Sequence, residues 1–284
     1  MGIDEILARY LPEESGMQKT VLAAMNYSVL AGGKRIRPRM MEASYRLFGG
    51  TGEEIEPFMA AIEMIHSYSL VHDDLPAMDN DTLRRGKPTT WSVYGEAMGI
   101  LAGDGLLTYA FETCAKAFSL TKHPERVGRS IGILAEKAGI YGMVGGQTVD
   151  VELTGRPVSR EQLDFIYRLK TGALLEASLM IGAVLAGANG EQVAQMEQVA
   201  ADIGMAFQIQ DDILDVTSTE EELGKPIGSD ARNQKTTYVT LEGLEAARAE
   251  VKRLSERAIS SLETLPGDSA FFQDYIRQLE TRSH

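Results

Sequence analysis

Apolar residues recur at helical spacing along nearly the whole chain, and no period-two run of β-branched residues is bounded by turns. That pattern confines the chain to an all-α fold. Helices are expected over 17–31, 38–48, 54–74, 92–119, 125–146, 159–187, 191–217 and 236–263, with a last one near 269–281. Gly32-Gly33 and Gly49-Gly50 stop the first two, Pro38 suits a first helical turn, and Pro76 ends the third. No Pro/Ser-rich linker, repeat or low-complexity segment intervenes, so residues 1–284 read as one domain. Gly95, Gly99 and Gly103 fall four apart on one stripe, which predicts close approach of a neighbouring helix.

Two apolar runs end in acids. Asp73 and Asp74 close one helix and Asp79 follows beyond Pro76; Asp211, Asp212 and Asp215 end another. Asp211 and Asp215 are one turn apart on one helix face, with Gln208 near it. Asp79 can join Asp73 only if the chain doubles back around Pro76. Clustered hard oxygen ligands suit Mg²⁺, and Mg²⁺ on carboxylates commonly serves a phosphate substrate. Solvated helix ends are the alternative.

Charge limits the partners. The chain carries 41 acidic and 28 basic residues, net −13. This argues against a nucleic-acid or anionic-membrane surface. An anionic substrate would need metal and local basic groups. Three such groups exist: Gly32-Gly33-Lys34-Arg35-Ile36-Arg37-Pro38, Arg84-Arg85-Gly86-Lys87, and Lys225 with Lys235. Arginine grips phosphate with two donors and lysine as a point charge. The single Cys114 forms no internal disulfide and fits a reducing compartment. Met1 to Glu5 lacks a basic flank or apolar core, so no signal peptide is expected. The longest uncharged apolar stretch, Ala177–Ala188, falls short of the roughly 20 residues of a membrane span. A cytoplasmic protein without stable membrane insertion is the expectation.

These motifs, in their order along residues 30–240, resemble those of the trans-type isoprenyl diphosphate synthases, nearest the short-chain bacterial farnesyl diphosphate synthases. The matching pieces are 32–38, the acid motif within Leu70–Gly86, Gly-Asp-Gly-Leu-Leu (103–107), Gly-Gly-Gln (145–147), Lys-Thr-Gly-Ala-Leu (170–174), Phe207–Asp215, Gly224–Asp230 and Lys235–Tyr238. The resemblance implies one helical domain around a deep central cavity, a homodimer, and three Mg²⁺ per site. It implies metal ligation by Asp73, Asp74, Asp79, Asp211, Asp212 and Asp215. Arg84, Lys170, Thr171, Gln208, Lys225 and Lys235 would hold an allylic diphosphate. Lys34, Arg37, His66 and Arg85 would hold isopentenyl diphosphate. Catalysis would rest on Asp73, Asp74, Asp79, Arg84, Lys170, Asp211 and Lys225. Tyr68, with small Ser69 beside it, would set a C15 product.

Four rivals stay open: a geranylgeranyl (C20) synthase, a class I terpene cyclase, a metal phosphohydrolase built on His72-Asp73, and a non-catalytic helical subunit. The second diphosphate loop argues against the cyclase. The presence of only four histidines argues against the hydrolase, and the survival of both acid clusters argues against the subunit.

Overall fold

The all-α expectation holds: apart from a hairpin of two-residue strands, the regular elements among the described residues are helical. The computed structural model describes residues 2–217 and 236–282. The chain divides into two compact units, 1–42 with 51–131, and 43–50 with 132–284.

The first unit holds α1 (Ile3–Tyr10), α2 (Lys19–Leu30), α4 (Glu56–Asp73), α5 (Thr90–Tyr94) and α6 (Glu96–Ala115); α3 (Ile36–Leu47) and α7 (Pro124–Ala138) cross the unit boundaries. Helix α4 is buried at nearly every position from Pro57 to Tyr68, which is why its sequence shows little amphipathic contrast. It packs on α6, and Phe58, Ile62, Met64 and Ile65 on α4 and Ala102, Leu106 and Ala110 on α6 are all buried. Helix α1 has no counterpart among the sequence expectations. Ile6 and Leu7 bury it, and it packs on α4.

The second unit holds α8 (Met143–Leu153), α9 (Arg160–Ile166), a π-helical turn (Tyr167–Gly172), α10 (Ala173–Ala186), α11 (Gly190–Thr217), α12 (Tyr238–Glu242), α13 (Leu244–Glu263) and α14 (Ala270–Thr281). Arg160–Ala186 is long and apolar enough to cross a membrane, yet 72% of that window is buried within the protein, the mark of a core helix. Ile209, Ile213, Val251, Leu254 and Leu279 form a core against α11.

Three expected helices are broken. Residues 92–119 bend at Gly95 (φ 89°, ψ 159°) and 236–263 at Gly243 (φ 87°, ψ 160°), the same conformation at both sites and one that L side chains rarely adopt. Residues 125–146 break between α7 and α8. Gly95 therefore serves the bend, since a Cβ there would meet nothing; Gly99 and Gly103 do face neighbours within 3.1 Å of an added Cβ.

Candidate functional site

In the first unit, three short pieces converge on the C-terminal half of α4. The chain does double back after Pro76: the Asp79 N–H donates to the Asp73 carbonyl at 2.8 Å, and Asn80 N–H to the Leu75 carbonyl at 3.1 Å. Trp91 Nε1 and Thr89 Oγ1 both donate to the Asp81 carbonyl, fastening this loop from outside. That gives Trp91 a polar task in holding the loop. Asp79 is exposed and Asp73 partly so. Asp74 is buried, and Arg84 Nε donates to its Oδ1 at 2.7 Å. Burial pushes the Asp74 carboxyl above its ordinary range, and Arg84 pulls against that shift.

Arg84 stands on a hairpin, Leu83–Arg84 paired with Lys87–Pro88, turned by Arg85 and Gly86 with φ of 53° and 74°. The turn brings the Arg85 guanidinium onto the Gly32 carbonyl, and an added Cβ at Gly33 would meet that guanidinium. The hairpin and the loop 32–38 thus share one wall with α4. A pocket there is lined by Tyr27, His66, Leu70, Asp74, Arg84 and Arg85 among others. Lys34 is exposed and Arg37 partly so. Burial, then Arg37, Arg85, Arg84 and Arg35 in that order, hold His66 well below the ordinary imidazole range. Neutral His66 therefore offers hydrogen bonds rather than charge. Ser69 donates to the His66 carbonyl at 2.9 Å.

In the second unit, a pocket of about 270 Å³ is lined by Asp150, Thr154, Arg156, Tyr167, Lys170, Thr171, Gln208, Asp211 and Asp212 with apolar neighbours. The π turn carries Lys170 and Thr171, and such turns often mark functional positions. Glycines let it approach: an added Cβ at Gly146 would lie 2.3 Å from Lys170 N, and one at Gly204 3.0 Å from the Gly172 Cα. Lys170 Nζ donates to Asp150 Oδ2 at 2.5 Å, and Thr171 donates to Gln208 Oε1. Asp212 Oδ2 accepts from Tyr167 Oη and from Tyr238 N, each at 2.7 Å. Asp215 is buried. Asp211, partly exposed, accepts from Arg282, whose guanidinium also lies 4.5 Å from the Phe207 ring centroid. Asp150, Tyr167 and Arg282 escaped sequence reasoning because their partners lie 20, 45 and 71 residues away. Lys225 and Lys235 lie outside the described residues.

Among the described residues, no three His, Cys, Asp or Glu side chains are grouped to hold a metal ion by themselves. The donor set nevertheless suits Mg²⁺, which keeps several waters and takes one or two carboxylates plus substrate phosphate. Asp73 and Asp79 in the first unit, and Asp211 in the second, are accessible carboxylates with that chemistry, and Asp211 is paired with the Arg282 guanidinium.

Residues 18–267 match the polyprenyl synthetase family. The chain is 44% identical over 283 residues to a farnesyl diphosphate synthase of Geobacillus stearothermophilus, covering 100% of this chain and 95% of that one. It is 47% identical over 248 residues to a chloroplastic geranylgeranyl pyrophosphate synthase of Catharanthus roseus, covering 87% and 69%. A solved geranylgeranyl pyrophosphate synthetase from Pyrococcus horikoshii superposes with a TM-score of 0.88 at 31% identity, covering 99% and 95%.

Proposed function

This chain belongs to the polyprenyl synthetase family and is a prenyltransferase, and from that premise we propose that it makes farnesyl diphosphate. It joins isopentenyl diphosphate head-to-tail to dimethylallyl and then geranyl diphosphate, acting as a homodimer. The observation that carries this reading is the full-length likeness to a farnesyl diphosphate synthase.

Lys170, Thr171 and Gln208, with Lys225 and Lys235, hold the allylic diphosphate, as does Arg84. Lys34, Arg37, Arg85 and neutral His66 hold the diphosphate of isopentenyl diphosphate. Asp73, Asp74, Asp79, Asp211, Asp212 and Asp215 are the proposed holders of Mg²⁺. When bound, Mg²⁺ neutralises charge on the departing diphosphate. The allylic C–O bond breaks with its electron pair leaving on diphosphate, and the basic side chains assigned to that diphosphate would stabilise the developing charge. The double bond of isopentenyl diphosphate forms the new C–C bond to the allylic carbon. A proton then leaves from the adjacent carbon to the released diphosphate, restoring a double bond.

Product length is assigned to Tyr68. It sits five residues before Asp73, about 7–8 Å along the helix, and the residue is 6% exposed. Burial, then Asp73, push its phenol up to about 12, so it stays neutral. The likeness to geranylgeranyl synthases favours a C20 product as the second reading. The test incubates the chain with Mg²⁺, isopentenyl diphosphate and each allylic diphosphate and weighs the products. Accumulation of C15 supports the proposal. C20 as the main product supports the second reading, and a cyclic hydrocarbon or hydrolysis alone overturns both.

A further inference from the structure

We infer that His72 is a positioning residue for product length: wedged between α6 and Tyr68, it holds the Tyr68 ring where that ring stops the growing chain. The inference rests on the reading of Tyr68 as the stop and deepens it.

Tyr68 and His72 are one helical turn apart on α4, so their side chains share a face. Their rings meet edge to face, centroids 5.8 Å apart at 80°, the arrangement an aromatic quadrupole favours. The far side of the imidazole is fixed by α6. His72 Nε2 lies 3.1 Å from the Ile100 carbonyl, to which it donates in the tautomer protonated there. Asp104 Oδ1 is 3.8 Å from the same nitrogen. Between them is Gly103, where an added Cβ would fall 2.1 Å from Nε2.

Gly103 is mid-helix, and its backbone lies outside the positive-φ region. Its missing side chain is therefore a matter of space: the imidazole occupies the volume a Cβ would need. The motif Gly103-Asp104-Gly105 has no part in the proposed diphosphate chemistry, and this geometry supplies one. Gly103 is the notch, Ile100 and Asp104 orient the ring within it, and the ring braces Tyr68. Gly105 similarly admits Met25, whose Sδ would lie 2.8 Å from an added Cβ. Small residues on α6 thus make room for side chains of two neighbouring helices, His72 of α4 at Gly103 and Met25 of α2 at Gly105.

Two different changes should loosen the brace. His72→Ala removes the ring from α4. Gly103→Ala leaves α4 unchanged and evicts the ring from α6. Both free Tyr68 to turn aside, so both should lengthen the product. His72→Phe keeps a ring in the notch and should keep the C15 product.

The experiment compares the wild type with Tyr68→Ala, His72→Ala, Gly103→Ala and His72→Phe, using isopentenyl and geranyl diphosphates and reading the C20:C15 ratio by mass. Tyr68→Ala should give mainly C20 or longer. His72→Ala and Gly103→Ala should each raise the ratio about tenfold, the upper end of what losing an aromatic pair supports, with His72→Phe near wild type. A merely structural His72 would lower rate and melting temperature at an unchanged ratio. If Tyr68→Ala lengthens the product while His72→Ala and Gly103→Ala do not, the inference fails and the Tyr68 reading stands. If Tyr68→Ala leaves C15 unchanged, both fail. Should His72→Ala not fold, Gly103→Ala carries the same expectation alone.

Discussion

Arg35 Nη1 donates to Glu63 Oε1 at 2.8 Å, and both side chains are buried. Arg35 Nη2 also donates to the Val29 carbonyl and Nε to Asp4, with φ at 50°. One guanidinium thereby ties the segment bearing Lys34 and, at the start of α3, Arg37 to α4. Removing one member of a buried pair leaves the other charge uncompensated, at about 3–5 kcal/mol. Arg35→Met should lose stability of that order in urea unfolding and raise KM for isopentenyl diphosphate more than for the allylic substrate. A loss below 1 kcal/mol would contradict the clamp.

His66 titrates below its unfolded value, so the folded chain resists protonation at that ring. The sign follows. Above the unfolded pKa, near 6.5, the ring is neutral in both states and costs nothing. As pH falls below that value the unfolded chain takes up a proton first, and stability drops until the folded pKa is reached. His66→Gln has no such titrating ring. Between pH 7 and 5, wild type should lose more thermal stability than His66→Gln; parallel losses would refute the shift.

An alanine at Gly146 would place its Cβ against Lys170 N and the Leu169 carbonyl carbon, backbone atoms that cannot rotate away. Gly146→Ala should cost about 1–3 kcal/mol through overpacking and raise KM for the allylic diphosphate as Lys170 shifts. Wild-type stability and KM would contradict this.

Arg282 donates to Asp211. Arg282→Gln should therefore bind Mg²⁺ or Mn²⁺ more tightly by calorimetry, with substrate absent. Unchanged affinity would mean that the guanidinium does not compete.

The long helices and the motif positions were legible because they depend on local spacing. Helix α4 shows its apolar run and its proline stop, and Asp211 and Asp215 share a face by periodicity alone. What stayed hidden was non-local or conformational. Gly95 and Gly243 bend helices through backbone angles that composition does not reveal, whereas the Gly103 stripe does predict a close neighbour. The commitment of Asp212 to Tyr167 and Tyr238, and of Asp74 to Arg84, depends on where distant segments meet. The return of Asp79 to Asp73 was permitted by Pro76 but needed the Asp79 N–H bond to be seen.

The central claim is that one chain binds two diphosphates and joins their carbon skeletons. The most direct measurement supplies ¹³C-labelled isopentenyl diphosphate with unlabelled geranyl diphosphate and Mg²⁺, following product mass and released diphosphate together. The account requires a C15 product carrying one labelled five-carbon unit, with one diphosphate released per unit joined. Diphosphate release with the label still in isopentenyl diphosphate would contradict it.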